Sequence, residues 1–126
     1  MAESLAGAPA PKLSENLRGK QIPHIGVLSR EELEEVIALG EWFRDNRYDP
    51  TYMELLRGRV QCLLFVYEST RTRLGFSAAM AQLGGSTVYM AAKSTQMGRG
   101  ESIVDTARAV DQYIDVFAGR LWTHKD

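Results

Sequence analysis

The sequence has few of the features that would place it in a specialised class of protein. It has one cysteine in 126 residues, Cys62, so no disulfide can form within the chain. Lys and Arg (15) nearly balance Asp and Glu (16), and the resulting net charge of −1 gives no sign of a nucleic-acid partner. No apolar run approaches the roughly 18 residues that cross a bilayer. We therefore expect a cytoplasmic protein that binds neither nucleic acid nor membrane, and any anion binding must come from a local site.

The amino-terminal segment also lacks a recognisable signal. Residues 1–11 are rich in Ala, Gly and Pro and carry Glu3, without the basic start and apolar block of a secretory signal. We interpret residues 1–22 as a disordered or extended lead-in and residues 23–126 as one domain. Cys62 lies in the apolar run Val60–Val66; because no basic partner adjoins it, we interpret it as a small buried hydrophobe.

Helical and strand patterns alternate along the rest of the chain. Ser29 followed by Glu32 is a capping-box signature that begins a helix, and Gly84-Gly85 is a helix stop. The predicted elements are a helix from 30 to about 46, a helical turn at 52–56, a buried strand at 60–66, a helix at 70–83, a strand at 86–91 and a helix at 101–112. Residues 114–118 suit either a third strand or the end of that helix.

This alternation predicts the α/β class, as a doubly wound parallel sheet with helices on both faces. The last strand would lie at a sheet edge with no closing element before Asp126. We therefore expect the natural chain to continue.

The segment Glu68–Arg73 (Glu-Ser-Thr-Arg-Thr-Arg) carries the most chemistry. It joins a buried strand to a helix, where open α/β sheets bind ligands and where unpaired N–H groups and the helix dipole favour anions. Hydroxyls donate to phosphate oxygens, and a guanidinium can bind phosphate through two bonds. Ser and Thr are also common helix caps, and helical Arg usually faces solvent, so a purely structural role stays open. The segment has neither the P-loop nor the dinucleotide-binding glycine pattern.

The run Phe65–Leu74 (Phe-Val-Tyr-Glu-Ser-Thr-Arg-Thr-Arg-Leu) resembles the carbamoyl-phosphate signature of the aspartate/ornithine carbamoyltransferase family. Two further blocks agree in order and spacing: Gln96–Ser102 with Asp105–Arg108, and Tyr113–Asp115 followed by Arg120. The resemblance covers residues 29–122.

The resemblance implies an enzyme, and it implies roles for particular residues. In the family, the residues that match Ser69, Thr70, Arg71 and Thr72 hold the phosphate of carbamoyl phosphate. Arg120 matches an arginine that reaches both the phosphate and the carbamoyl oxygen. Arg71, Thr72 and Arg120 would accordingly be catalytic, because they would stabilise charge on the carbamoyl oxygen and the leaving phosphate. The resemblance requires no metal or organic cofactor.

Other expectations from the resemblance concern assembly and the second substrate. The loop carrying Gln96 and Arg99 would reach the active site of a neighbouring subunit in a homotrimer, and its sequence favours the ornithine type over the aspartate type. We expect Arg73 to form a structural ion pair rather than a ligand contact, and we expect the same of Asp105 with Arg108.

Two departures from the family pattern stand out. Glu68 occupies a position that is often Ser or Pro, and its carboxylate would repel a phosphate unless it points away or is paired. The family's later His-Pro-x-Gln segment is absent, and neither His24 nor His124 matches its histidine. The amino-acid-binding domain is absent as well, so we expect these 126 residues alone to be inactive.

Three interpretations stay open. In the first, the chain is the amino-terminal domain of a carbamoyltransferase that acts on ornithine, aspartate or another amine. In the second, it is a non-catalytic module for phosphometabolite binding or assembly. In the third, it is a relative that kept the fold and lost the activity.

Overall fold

A computed structural model describes residues 8–94, 99–100 and 102–121 of the chain. The chain divides into two compact units, one ending at Asp49 and one beginning at Pro50. The predicted single domain, 23–126, spans parts of both. No helix among the described residues is long and apolar enough to cross a membrane.

The helices and strands follow the predicted order. The α-helices are α1 (Arg30–Asn46), α2 (Thr70–Gln82) and α3 (Ile103–Asp111). The strands are β1 (Val60–Phe65), β2 (Ser86–Ala91) and β3 (Val116–Arg120). Short 3-10 turns lie at Glu15–Leu17, Ile25–Val27 and Ala92–Ser94.

In the first unit, α1 begins with the predicted capping box. The Glu32 N–H donates to Ser29 Oγ at 3.1 Å, and the Ser29 N–H donates to Glu32 Oε2 at 2.8 Å. Lys20 Nζ donates to the same carboxylate at 2.8 Å. The hydrogen bond from Lys20, followed by that from the Ser29 backbone, holds the pKa of Glu32 below its usual value. The start of α1 is thus fixed by its own first turn and by a residue ten positions upstream.

The predicted lead-in makes specific contacts with α1 over the part that the structure describes. Residues 8–22 contain one 3-10 turn and otherwise no regular element. The Ser14 N–H donates to Glu35 Oε2 at 2.8 Å, and Lys20 pairs with Glu32. Ser14 and Lys20 therefore attach this segment to α1. Residues 1–7 lie outside the described residues.

The second unit is built around a parallel sheet in the order β2-β1-β3. The central strand is buried from Gln61 through Phe65, which confirms the prediction of a strand covered on both faces. β1 ends at Phe65, one residue before the predicted end, and Val66 begins the connection to α2.

The two helices of this unit lie on opposite faces of the sheet. Gln61 Nε2 donates to the Phe76 carbonyl of α2 at 2.9 Å, so α2 lies on the face of Gln61, Leu63 and Phe65. Leu64, on the other face, lines a groove together with residues of α3: Ile103, Thr106, Ala107 and Val110. This arrangement confirms the predicted doubly wound sheet with a helix on each face.

Gly84 ends α2 as predicted, because it adopts a φ of +87° that other residues rarely take. A Cβ at this position would lie 2.6 Å from the Met53 carbonyl oxygen. The neighbouring Leu83 carbonyl accepts a 2.7 Å hydrogen bond from Leu56 N–H. The turn that precedes β1 is thus packed directly on the end of α2.

The boundaries of the last two elements differ from the prediction. α3 begins at Ile103, because Ser102 Oγ accepts a hydrogen bond from the Asp105 N–H at 3.1 Å and caps the helix. Residues 116–120 form a strand, which decides between the two alternatives left open for this stretch. β3 lies at an edge of the described sheet, as expected.

Candidate anion-binding site

The Ser69–Thr72 turn lies at the carboxyl end of the central strand, where the first turn of α2 begins. Ser69 is the N-cap residue, with φ −148° and ψ 90°, but its side chain accepts no hydrogen bond from the helix backbone. Its hydroxyl donates instead to Thr72 Oγ1 at 2.8 Å. The two hydroxyls are therefore oriented by their contact with each other. The Ser69 side chain does not cap the helix, which was the structural role left open for it.

The backbone of the same turn presents free donors. The first hydrogen bond of α2 runs from the Arg73 N–H to the Ser69 carbonyl at 3.0 Å. The N–H groups of Thr70, Arg71 and Thr72 precede it and have no acceptor within the helix. These three residues are exposed. Together with the positive end of the helix dipole, their amides favour a bound anion.

Arg120 lies at the same edge of the sheet. It is the last residue of β3 and is paired with Phe65, the last residue of β1. Its carbonyl accepts a 2.8 Å hydrogen bond from the Val66 N–H, at the start of the connection to the turn. Partners in a parallel pair direct their side chains to the same face, so Arg120 shares the face of Phe65, on which α2 lies. The structure thus brings a second arginine to the edge and face of the Ser69–Thr72 turn.

Lys93 is a third cation at this edge that sequence reasoning missed. β2 ends at Ala91, the partner of Phe65, and the exposed Lys93 follows in a 3-10 turn. The predicted end of β2 at residue 91 was sufficient signal, because the carboxyl ends of parallel strands meet at one edge.

Arg73 contacts an aromatic ring rather than the carboxylate expected for it. Its Cζ atom lies 3.5 Å from the centroid of the Tyr89 ring, a cation–π contact. The Tyr89 ring in turn meets Phe65 edge to face, with centroids 5.9 Å apart. Arg73 thus makes a structural contact, but its partner is the Tyr89 ring of β2 and not a carboxylate.

The other candidate residues are exposed or lie outside the described part. Glu68 is exposed beside the turn, and Arg99 is exposed. Gln96 and His124 lie outside the described residues, and His24 is exposed in the first unit. Arg108 Nη1 approaches Asp105 Oδ1 only at 4.0 Å, whereas Asp105 bonds closely with Ser102 at 2.7 Å. The expected Asp105–Arg108 ion pair is therefore weak.

Cys62 is a buried packing residue, as predicted. It is 1% exposed, and its Sγ lies 3.5 Å from Met90 Sδ. Burial raises the pKa of its thiol, which disfavours the reactive thiolate. Among the described residues, no cluster of three or more His, Cys, Asp or Glu side chains could hold a metal ion. The chemistry that this edge offers is the binding of an anion by amides, hydroxyls and guanidiniums.

Comparison with known proteins identifies the family to which the chain belongs. The sequence model of "Aspartate/ornithine carbamoyltransferase, carbamoyl-P binding domain" matches residues 20–126. The chain belongs to the aspartate/ornithine carbamoyltransferase family. The match begins near the predicted domain start and includes the Ser69–Thr72 turn and Arg120, which confirms the resemblance seen in the sequence.

Individual members of the family are similar over most of this chain. The ornithine carbamoyltransferase of Bacillus cereus (strain ZK / E33L) is 38% identical over 110 residues, which are 87% of this chain and 34% of that protein. An aspartate transcarbamoylase from Trypanosoma cruzi, solved in complex with carbamoyl phosphate, superimposes with a TM-score of 0.77 at 33% identity over 87% of this chain and 36% of its own. The ornithine carbamoyltransferase of Thermus thermophilus gives a TM-score of 0.72 at 31% identity over 82% and 35%. The chain thus spans about a third of the length of the carbamoyltransferases that it matches.

Proposed function

We propose that this chain is the carbamoyl-phosphate-binding domain of an ornithine-type carbamoyltransferase, with residues 23–126 as that domain and residues 1–22 as its lead-in. The observation that carries the proposal is the arrangement at the carboxyl edge of the sheet. Three N–H groups without helical acceptors and the Ser69–Thr72 hydroxyl pair lie on one turn, with Arg120 on the same edge and face. The similar Trypanosoma cruzi enzyme was solved with carbamoyl phosphate bound.

Each residue of the site has a role in the proposed reaction. Ser69, Thr70, Arg71 and Thr72 bind the phosphate through hydroxyls, amides and a guanidinium. The amine attacks the carbamoyl carbon, a C–N bond forms, and the bond to the phosphate oxygen breaks as the amine loses a proton. Arg120 and Thr72 stabilise the charge that builds on the carbamoyl oxygen, and Arg71 and Arg120 stabilise the departing phosphate. Holding the two reactants together supplies much of the remaining acceleration.

Ornithine is the favoured acceptor because the Gln96–Ser102 loop has the ornithine-type pattern and because similar proteins include ornithine carbamoyltransferases. An aspartate-type enzyme is the second candidate, since the Trypanosoma cruzi structure has a TM-score of 0.77 against 0.72 for the Thermus thermophilus enzyme. The enzyme would serve arginine metabolism in the cytoplasm.

We further propose that the protein assembles as a homotrimer in which the loop of Gln96 and Arg99 reaches a neighbouring site. Supporting this proposal, α2 has one buried residue, Met80, whereas Leu74 and Phe76 of the same helix are 63% and 43% exposed. Large apolar side chains that are exposed on a helix are available for contact with another chain. Light scattering after size-exclusion chromatography should give a molecular mass three times that of one chain. Leu74→Glu should reduce the measured mass to that of a single chain. A monomeric unsubstituted chain would contradict the assembly.

Calorimetry tests the binding of carbamoyl phosphate, with its stable mimic phosphonoacetamide as a second ligand. We expect the chain to bind both in the micromolar to millimolar range, and Arg71→Gln or Arg120→Gln to weaken binding by about tenfold or more, as loss of a charged hydrogen bond does. Arg108→Gln, an exposed arginine on α3, is the matched control and should change affinity less than twofold. Equal loss in Arg108→Gln and Arg71→Gln would indicate a general charge effect and contradict the site.

Turnover by the chain alone is a separate measurement. With carbamoyl phosphate and ornithine supplied together, we expect no citrulline, because the family's His-Pro-x-Gln segment is not among these residues. Citrulline formation by this chain would contradict the assignment of its role to binding. A chain that neither binds these ligands nor associates would exclude the binding-module alternative as well.

A further inference from the structure

We propose that Tyr89 is a positioning residue, whose ring holds Arg73 and thereby fixes the first turn of α2 in the orientation that binds the anion. The inference rests on the proposed function, because it explains how the Ser69–Thr72 turn is held in place.

The contact between Arg73 and Tyr89 joins the turn to the sheet. Arg73 Cζ lies 3.5 Å from the centroid of the Tyr89 ring. The N–H of the same arginine makes the first hydrogen bond of α2, to the Ser69 carbonyl. Arg73 therefore connects the turn to the sheet: its backbone N–H closes the candidate anion-binding turn, and its side chain lies on the Tyr89 ring of β2.

The Tyr89 ring is itself held by the core. It meets Phe65 edge to face at an interplanar angle of 83°, and Phe65 is 3% exposed at the end of the central strand. Tyr89 is paired with Leu63, which is 0% exposed. The ring is thus a fixed surface, and a planar guanidinium can stack on it with little further ordering.

The other described attachments of α2 lie farther along the helix. Gln61 bonds to the Phe76 carbonyl, and Met80 is the residue of α2 that is buried. Both lie one or more turns beyond Thr72, whose neighbours Thr70 and Arg71 are exposed. Among the polar and aromatic contacts of the described residues, the Arg73–Tyr89 stack is the one that ties the first turn to the sheet.

In this arrangement, Arg71 and Arg73 have different roles. Residues two apart on a helix face different directions, so Arg71 is free to meet an anion while Arg73 is occupied by the ring. A small displacement of a binding group can cost as much as 10²-fold in function. Loss of the ring should therefore weaken anion binding although Tyr89 itself is not placed against the anion.

Anion affinity in a set of matched variants tests the inference. Tyr89→Leu should weaken phosphonoacetamide binding by about tenfold, the scale of a partly buried cation–π contact, whereas Tyr89→Phe, which keeps the ring, should stay within twofold of the unsubstituted chain. Tyr113→Leu, at a tyrosine that is 79% exposed, is the control and should have no effect. Arg73→Leu should match Tyr89→Leu, and the double variant should be no weaker than either, since both remove one contact.

Hydrogen exchange of the Arg73 amide, followed by NMR, separates positioning from loss of the fold. Tyr89→Leu should speed exchange at this amide while the amides of β1 stay protected, and Tyr89→Phe should leave both unchanged. A Tyr89→Leu chain that binds like the unsubstituted one would overturn the inference and leave the proposed function intact. Exchange that rises equally in β1 would also overturn it, because the effect would then be a general loss of stability. An unsubstituted chain that binds no phosphonoacetamide would overturn the proposed function and this inference with it.

Discussion

Asp115 and Val60 are joined by two hydrogen bonds across the amino ends of β3 and β1. The Asp115 N–H donates to the Val60 carbonyl at 2.8 Å, and the Val60 N–H donates to Asp115 Oδ2 at 2.9 Å. Arg59 Nη1 donates to the other carboxylate oxygen at 2.8 Å. One side chain thus fixes the register of the two strands whose opposite ends carry the candidate site.

Replacement of Asp115 should therefore destabilise the sheet. Asp115→Ala removes the acceptor of the Val60 N–H and the partner of Arg59, and we expect the thermal midpoint to fall by several degrees. Circular dichroism during heating provides the measurement. Asp111→Asn, at an exposed carboxylate that ends α3, is the control. A thermal midpoint that is the same for both variants would show that the hydrogen bonds of the Asp115 side chain are not important for stability.

The contribution of Asp115 should depend on pH in a defined direction. Hydrogen bonds from the Val60 backbone and then from Arg59 lower its pKa below the usual value. A lowered pKa in the folded state stabilises the fold above the unfolded pKa of about 4 and loses that effect as pH falls through the folded value. The difference in midpoint between the unsubstituted chain and Asp115→Asn should accordingly be full at pH 7 and shrink toward pH 3. A difference that is constant or widens with acid would contradict this linkage.

Gly84 should tolerate alanine poorly, and for two separable reasons. Its φ of +87° is costly for an L side chain, and a Cβ would lie 2.6 Å from the Met53 carbonyl oxygen. We expect Gly84→Ala to lower the free energy of unfolding by roughly 2–5 kcal/mol. Gly58 has a similar φ of +78° with open space around it, so Gly58→Ala should cost only about 1–2 kcal/mol.

Replacement of a third glycine by alanine should have the opposite effect on stability. Gly75 lies inside α2 with nothing within 4 Å of an added Cβ, and Gly75→Ala should stabilise the chain by about 0.5–1 kcal/mol. Urea unfolding of the three variants gives the order directly. If Gly84→Ala and Gly58→Ala cost the same, the close approach of Met53 does not matter.

Gln61 should be important for the packing of α2 on the sheet. It is 4% exposed, and its Nε2 donates to the Phe76 carbonyl at 2.9 Å and to Thr87 Oγ1 at 2.8 Å. Gln61→Leu fills the space but removes both donors, which should cost about 1–3 kcal/mol. Gln112→Leu, at an exposed position after α3, is the matched control. Unfolding in urea that is unchanged by Gln61→Leu would show that the apolar contacts alone hold the helix.

Glu68→Ser should strengthen anion binding, because it removes an exposed carboxylate directly before the Ser69–Thr72 turn. We expect affinity for phosphonoacetamide to rise about 3- to 10-fold at low salt and less at high salt, as screening requires. Glu41→Ser on α1 is the control. Unchanged affinity at low salt would show that Glu68 points away from the anion, and would count against the interpretation that Glu68 marks a chain which has lost its activity.

Local sequence signals predicted most elements of the fold. The Ser29–Glu32 capping box, the buried run of β1 and the stop at Gly84 each lie within a few residues, and each was confirmed. The start of β3 depends instead on a distant partner, because Asp115 bonds to a strand 55 positions earlier. Spacing alone does not reveal such a partner.

The candidate site, too, could be predicted only in part, because some of its contacts depend on residues that are distant in sequence. The chemistry of the Ser69–Thr72 turn was readable from residue types, but the role of Ser69 depended on its 2.8 Å contact with Thr72. The ring beneath Arg73 belongs to β2, which lies on the far side of a crossover connection. Its position follows only once the parallel register of β1 with β2 is known.

The strand order has a consequence for how the protein is made. Among the three described strands, β1 is synthesised first, yet it is flanked by β2 and β3, and its first residue bonds to a side chain 55 positions later. Pairings so distant in sequence form slowly, so the central strand keeps one side open during synthesis until β3 emerges. Arg120 and the second neighbour of β1 are synthesised together, so the residues of the candidate anion site are complete only when both sides of β1 can be paired.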